Sequence, residues 1–148
     1  MAFGANLGEA QATVLKAIED VGALATTQLV KVSSLYASAP HEAVGPEFVN
    51  AVAMYDTDLP PLELLDALQN LETISGRERP FLNAPRTLDL DIIFYGNVAL
   101  DSPRLTLPHP RWQERAFVLV PLAEISPDKV SPALLSSVAN QPIRRISK

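Results

Sequence analysis

Residues 85 to 94 read Pro-Arg-Thr-Leu-Asp-Leu-Asp-Ile-Ile-Phe, and this alternation restricts the fold more than any other stretch of the chain. A period of two is the period of a β-strand, in which residues two apart share a face. Asp89 and Asp91 therefore project together, roughly 6.7 Å apart along the backbone. Leu88, Leu90, Ile92 and Phe94 turn the other way, into a core. Two carboxylates on one face repel unless a cation sits between them. Oxygen ligands suit Mg²⁺, which takes one or two carboxylates plus substrate phosphates. The plainer reading is the solvated face of an amphipathic strand, and the surrounding residues weigh against it.

Those surroundings are basic in a chain that is otherwise acidic. The net charge is −5 over 148 residues, which argues against a general nucleic-acid binder. No Lys or Arg lies between Lys31 and Arg77, and then come Arg77, Arg79, Arg86, Arg104, Arg111 and Arg115, with His109 among them. The positive charge thus gathers beside the aspartate pair. It is arginine, the side chain that bidentate phosphate contacts favour. The absence of cysteine excludes disulfides, thiolate catalysis and cysteine–zinc sites. With two histidines a histidine-rich metal site is not expected. No apolar run reaches membrane-spanning length, and the first residues have neither a basic region nor an apolar signal segment. A cytoplasmic protein of one domain, residues 1–148, is the expectation, with no membrane partner.

Strands are expected at residues 1–4, 28–36, 48–55, around 89–91 and near 98–100. A helix is expected over 9–21, with Val14, Leu15, Ile18 and Val21 as its apolar stripe. The clearest helix runs over 60–75, capped by Thr57 or Asp58, with prolines in its first turn and Gly76 as its stop. Its stripe reads Leu62, Leu65, Leu68 and Leu71. Proline-rich loops occupy 38–46, 77–85 and 103–111. A helical segment begins near Trp112, an apolar stretch runs over 117–125, and a small helix is expected over 131–138. Strands and helices mix without regular βαβ alternation, so the class is α+β, a mostly antiparallel sheet with helices packed on it.

Several motifs occur in one order: Gly4-Ala5-Asn6-Leu7-Gly8, Ser34-Leu35-Tyr36, Phe48-Val49-Asn50-Ala51, Gly76-Arg77-x-Arg79, Pro85-Arg86-Thr87-Leu88-Asp89-Leu90-Asp91, and Leu107-Pro108-His109-Pro110-Arg111 before Arg115-x-Phe117. Together they resemble the 6-hydroxymethyl-7,8-dihydropterin pyrophosphokinase family, from Gly4 to Pro127. The resemblance implies a ferredoxin-like fold and a Mg²⁺-dependent transfer of pyrophosphate from ATP to the hydroxymethyl group of the reduced pterin, leaving AMP, in folate biosynthesis. It implies a monomer that binds ATP and pterin, and no nucleic acid. Charge builds on the transferred group and the α/β bridge, where two metal ions can clamp it.

By the same resemblance, Asp89 and Asp91 match the ligands of two Mg²⁺ ions, and Arg77 and Arg86 match catalytic arginines near the phosphates. Gln69, Glu72, Arg79, Ile92, Arg104, Thr106, His109 and Arg115 match the ATP site. Ser38 and Ala39 fall where family backbone contacts the pterin, Phe48 and Phe117 match its stacking pair, and Asn50 matches the residue at its polar edge. Phe48 and Asn50 share a strand face, whatever the resemblance. Arg104, Gln69 and Glu72 also read as ordinary solvated side chains, and either phenylalanine as a core residue. Arg111 reads as surface and Trp112 as packing. The loops 38–46 and 77–85 each run a residue shorter than in familiar members. Leu82 stands where another loop arginine is expected, and Asn83 or Ala84 where some members carry an aromatic.

Two other classes bear on the same residues. A non-catalytic nucleotide-binding domain would not need Asp89, Asp91 and Arg86 together. A ferredoxin-like nucleic-acid binder is opposed by the acidic balance and by the lack of a glycine–aromatic RNA motif.

Overall fold

The computed structural model describes residues 1–6, 9–39, 47–76 and 88–147; within these, the side chains of Ser75, Gly76 and Ser147 are not described. Strands β1 (Ala2–Ala5), β2 (Thr27–Val32), β3 (Leu35–Ser38), β4 (Phe48–Thr57), β5 (Asp89–Asp91) and a C-terminal strand, Ile143–Ser147, form one antiparallel sheet. Its order is β5-β1-β4-β3 followed by the C-terminal strand, with β2 also on β4. Helix α1 (Ala10–Gly22) joins β1 to β2, and helix α2 (Pro61–Gly76) joins β4 to the segment before β5. This is the ferredoxin-like α+β arrangement. Two short strands, β6 (Leu100–Asp101) and β7 (Thr106–Leu107), pair with each other beside β5. Helix α3 (Ala116–Ile125) and helix α4 (Pro132–Ser137) follow, and the C-terminal strand is β8.

The sheet separates two cores. On one face Phe3, Ala5, Val49, Ala51, Leu88, Leu90 and Ile92 pack with Val14, Ile18 and Val21 of α1 and with Leu64 and Leu68 of α2. On the other, Ala2, Val52 and Ile93 pack with Val118, Leu119 and Leu122 of α3. The period-two pattern accounts for the split, since Val49 and Ala51 point one way and Phe48, Asn50 and Val52 the other. Phe94, expected beside Leu88, Leu90 and Ile92, instead joins the second core, where it meets Trp112 edge-on with ring centroids 4.8 Å apart. The strand ends at Asp91, so the alternation does not extend that far.

Three other expectations are corrected. Leu62 is 39% exposed and Leu64 takes its place in the core. Steps of three residues fall short of a full turn, so nine residues at about 100° each put Leu62 opposite Leu71. Leu15 of α1 is 52% exposed, and Ala17 is buried instead. The single strand expected over 28–36 is two strands, broken at Ser33 and Ser34. Ser33 still pairs with Val52, whose N–H donates to the Ser33 hydroxyl, but the Ser34 N–H leaves the sheet for the Glu124 carboxylate of α3, at 2.9 Å. Strand β8 was not expected at all.

Helix α3 contains Pro121. Proline has no N–H, so the Phe117 carbonyl four residues back receives no bond from that position. The helix has ten residues, about 15 Å in length, and three strand spacings are about 14 Å. It crosses the sheet: Arg115 at its start acts electrostatically on His109, and Glu124 near its end bonds to β3.

Candidate active site

Strand β5 is the edge of the sheet, and a cavity of about 340 Å³ runs along it. Helix α2 forms one wall and residues 102–110 the other. Into this groove the fold brings Gln69 and Glu72 from α2, Asp89, Asp91 and Ile92 from β5 and its continuation, and Arg104, Thr106 and His109 from the opposite wall. Eight residues singled out in the sequence, drawn from three segments, thus line one cavity.

Several of them are held by contacts with a physical reason. An edge strand leaves outward N–H groups unpaired, and Glu72 takes one of them, accepting from Leu90 N–H at 2.8 Å. Arg104 donates to the Asp66 carboxylate at 2.5 Å and to the Gln69 side-chain oxygen at 3.3 Å. It lies at the mouth of the groove, where 47% of its side chain is exposed. The backbone N–H of Arg111 donates to His109 Nδ1 at 3.1 Å. That nitrogen therefore carries no proton, and the neutral ring has its N–H at Nε2. Burial pushes the His109 pKa down, as do Arg115 and Arg111, against the opposing pull of Asp91. Ile92 is buried in the first core and borders the groove.

Asp89 and Asp91 stand half-buried on the α3 face of the sheet. In strand register Asp89 lies opposite Gly4, Gly4 opposite Asn50, and Asn50 opposite Tyr36. One row thus runs from the aspartates to the residues expected at the pterin, with Asp89 and Asn50 two strands, about 10 Å, apart. Gly4 separates them without a side chain, and a Cβ there would come within 3.2 Å of Asn50 Nδ2.

At the far side of the row, Asn50 is 4% and Ser38 6% exposed. The Ser38 hydroxyl donates to Asn50 Oδ1 at 2.5 Å, which turns the amide so that Nδ2 points toward Gly4. The resemblance gave Ser38 a backbone role only; its side chain orients Asn50. Phe48 is next but one to Asn50 and lies opposite Ser38. Ala39 follows β3 and is exposed. Phe117, partly buried in the α3-side core, has the Arg115 guanidinium 5.4 Å from its ring centre. Arg77, Arg79 and Arg86 lie outside the described residues, as do the shortened loop segments 40–46 and 77–87.

A match to the model of the 7,8-dihydro-6-hydroxymethylpterin-pyrophosphokinase family covers residues 1–127. The chain belongs to this family. It is 50% identical over 129 residues to the 2-amino-4-hydroxy-6-hydroxymethyldihydropteridine pyrophosphokinase of Pseudomonas aeruginosa, covering 86% of this chain and 80% of that protein. The enzyme of the same name from Haemophilus influenzae is 44% identical over 133 residues, covering 89% and 83%. The folic acid synthesis protein fol1 of Pneumocystis carinii is 41% identical over 141 residues, which are 95% of this chain and 19% of that longer protein.

A pyrophosphokinase that uses ATP implies a divalent metal, and the donors present fit one. Two carboxylates share a strand face at the end of a polar groove. Among the described residues no cluster of three or more His, Cys, Asp or Glu side chains could form a protein-only cage. That set suits an ion that completes its shell with phosphate and water.

The sequence singles out neither Asp66 nor Glu124, and it offers Gly4 and Tyr36 only as members of motifs, without a role at the site. Asp66 sits three residues before Gln69, close to one helical turn, and that spacing could have found it. Glu124 is the only charged residue in α3, and a lone acid in an apolar helix is the signal that could have found it.

Proposed function

We propose that the groove along β5 and the row from Asp89 to Asn50 are the two halves of one active site, with ATP in the groove and the pterin beyond Gly4. The reaction is that of the family. Pyrophosphate passes from ATP to the hydroxymethyl oxygen of 6-hydroxymethyl-7,8-dihydropterin, the bond from the β-phosphorus to the α/β bridge breaks, and AMP leaves. The observation that carries the reading is the convergence of Gln69, Glu72, Asp89, Asp91, Arg104, Thr106 and His109 on a single cavity.

In this reading Asp89 and Asp91 would hold two Mg²⁺ ions, which would supply neutralisation of the charge that builds on the phosphates. The protein's own part is positioning and charge. Arg104 offers a guanidinium at the groove mouth. His109 offers a neutral N–H, a donor that does not depend on protonation at neutral pH. Asn50, its amide fixed by Ser38, reads the pterin edge. Phe48 and Phe117 supply aromatic faces for the flat ring. Arg77, Arg79 and Arg86 complete the phosphate contacts, and the chain acts as one domain.

Product analysis tests the reaction. Incubation with ATP, Mg²⁺ and the pterin should yield AMP and a pterin pyrophosphate by phosphorus NMR. ADP with a pterin monophosphate would overturn it.

A further inference from the structure

Helix α3 carries one charged side chain, Glu124, and its carboxylate is spent on strand β3. Oε1 accepts from Ser34 N–H at 2.9 Å and from the Tyr36 hydroxyl at 2.7 Å, and Oε2 accepts from the Ser34 hydroxyl at 2.9 Å. The Arg145 guanidinium of β8 lies 3.7 Å from Oε2 and 5.9 Å from the centre of the Tyr36 ring. Burial alone would push the Glu124 pKa up, but the Ser34 N–H, the two hydroxyls and Arg145 outweigh it, so the carboxyl stays ionised.

The place of this contact gives it a use. Phe117 precedes Glu124 by seven residues, two turns or about 10.5 Å, so both lie on one stripe of α3. Tyr36, which Glu124 grips, lies opposite Asn50, and Ser38, two residues further along β3, orients the Asn50 amide. One carboxylate thus joins the helix that carries Phe117 to the strand that sets Asn50. The remaining contact between α3 and the sheet is apolar, and apolar attraction is non-directional. It resists separation better than sliding; at the start of the helix Ala116 N–H also donates to Gln141 Oε1 at 2.8 Å, but that acceptor lies outside the strands. Directional hydrogen bonds supply that register.

We propose that Glu124 is a positioning residue that sets the spacing of the pterin slot by locking α3 to β3. The proposal rests on the reading of Asn50 and Phe117 as pterin contacts. A carboxylate is suited to the task because it only accepts, and three donors and a guanidinium converge on it. A glutamine of the same shape would turn an NH₂ group against them.

The test measures pterin affinity by calorimetry with the site filled by an ATP analogue whose α/β bridge is methylene, well below the Tm of each variant. Glu124→Gln should weaken pterin binding about tenfold or more, because a shift near 1 Å is costly in a stacked slot. Affinity for the analogue alone should change less than about twofold, since the groove lies at the other edge of the sheet. In Phe117→Ala the added Glu124→Gln change should cost much less, because the ring it positions is gone. Tyr36→Phe removes one of the three bonds, keeps the ring and folds more readily; it should weaken pterin binding roughly threefold. A Glu124→Gln protein with lowered Tm and unchanged pterin affinity would show a structural contact only and overturn the proposal. So would an unchanged Tyr36→Phe if Glu124→Gln does not fold. If Asn50→Ala and Phe117→Ala bind pterin normally, the slot itself is misassigned and the proposal falls with it. If those two fail to bind and Glu124→Gln binds normally, the slot stands and Glu124 is not its gauge.

Discussion

Asn50 and Arg104, which the proposed reading places in the two halves of one site, are held in opposite ways. Asn50 is 4% exposed, bonded by a buried serine and flanked by backbone on both sides. Arg104 is half in water, and its partners Asp66 and Gln69 are themselves exposed. A buried hydrogen bond is costly to leave unmade, whereas an exposed ion pair is worth about 0–1 kcal/mol. The pterin half is therefore set before any ligand arrives. The nucleotide half is a collection of side chains that a triphosphate can rearrange cheaply. In the proposed reading, rigidity lies where a flat ring must be recognised, and compliance where charge must be gathered.

The largest effect should come from the aspartates, which serve both halves. Asp91→Ala should lower kcat by at least about 10², the size of loss seen when one electrostatic stabiliser is removed. Removing one of two like charges should leave the fold intact by circular dichroism. Near-normal turnover in Mg²⁺ would reduce the pair to a solvated strand face and leave the two halves without a common centre.

Next come the pterin contacts, where the comparison is sharpest. Asn50→Ala and Phe117→Ala should each weaken pterin binding about tenfold, since a lost stack or a buried unpaired polar group is worth about 1–2 kcal/mol. Calorimetry with an ATP analogue alone should detect little change. Equal losses for both ligands would dissolve the distinction between a set half and a compliant one.

Gly4→Ala probes the boundary. A Cβ 3.2 Å from Asn50 Nδ2 must displace the amide or the strand by a few tenths of an ångström. An off-rotamer adjustment of that kind costs about 0.5–1.5 kcal/mol, so pterin affinity should fall roughly threefold or more while the Tm moves little. An unchanged affinity would mean that Asn50 has more freedom than its burial implies.

The smallest effect is expected at Asp66. Asp66→Asn removes an exposed partner of Arg104, and the affinity for the ATP analogue should change by no more than about fivefold. A larger loss, measured by the same calorimetry, would mean that the nucleotide half is as firmly set as the pterin half.

What could be read in the sequence follows from the range of the interactions. The Asp89/Asp91 face and the Phe48/Asn50 face depend on a strand period of two, a local property, and both were legible. The groove residues came from resemblance to a family, since nothing in Arg104 or Thr106 by itself separates a binding residue from a solvated one. The break between β2 and β3 was not legible, because the acceptor that draws Ser34 out of the sheet lies 90 residues away. Strand β8 pairs with β3 across more than a hundred residues, as Leu35 opposite Ser147, and its Arg144-Arg145 pair gives no apolar signal. Leu62 was misread for a simpler reason, in that a step of three drifts off the true helical period.

Pro121 leaves the Phe117 carbonyl without its helical donor, so α3 depends on what holds its two ends. Near the far end Glu124 is bonded to β3. At the start Ala116 N–H donates to Gln141 Oε1 at 2.8 Å, and Gln141 Nε2 donates to the Glu114 carbonyl at 2.9 Å. The wall that bears Phe117 is thus braced from outside the helix, by residues distant in sequence, and a rung missing from the middle need not cost it its place.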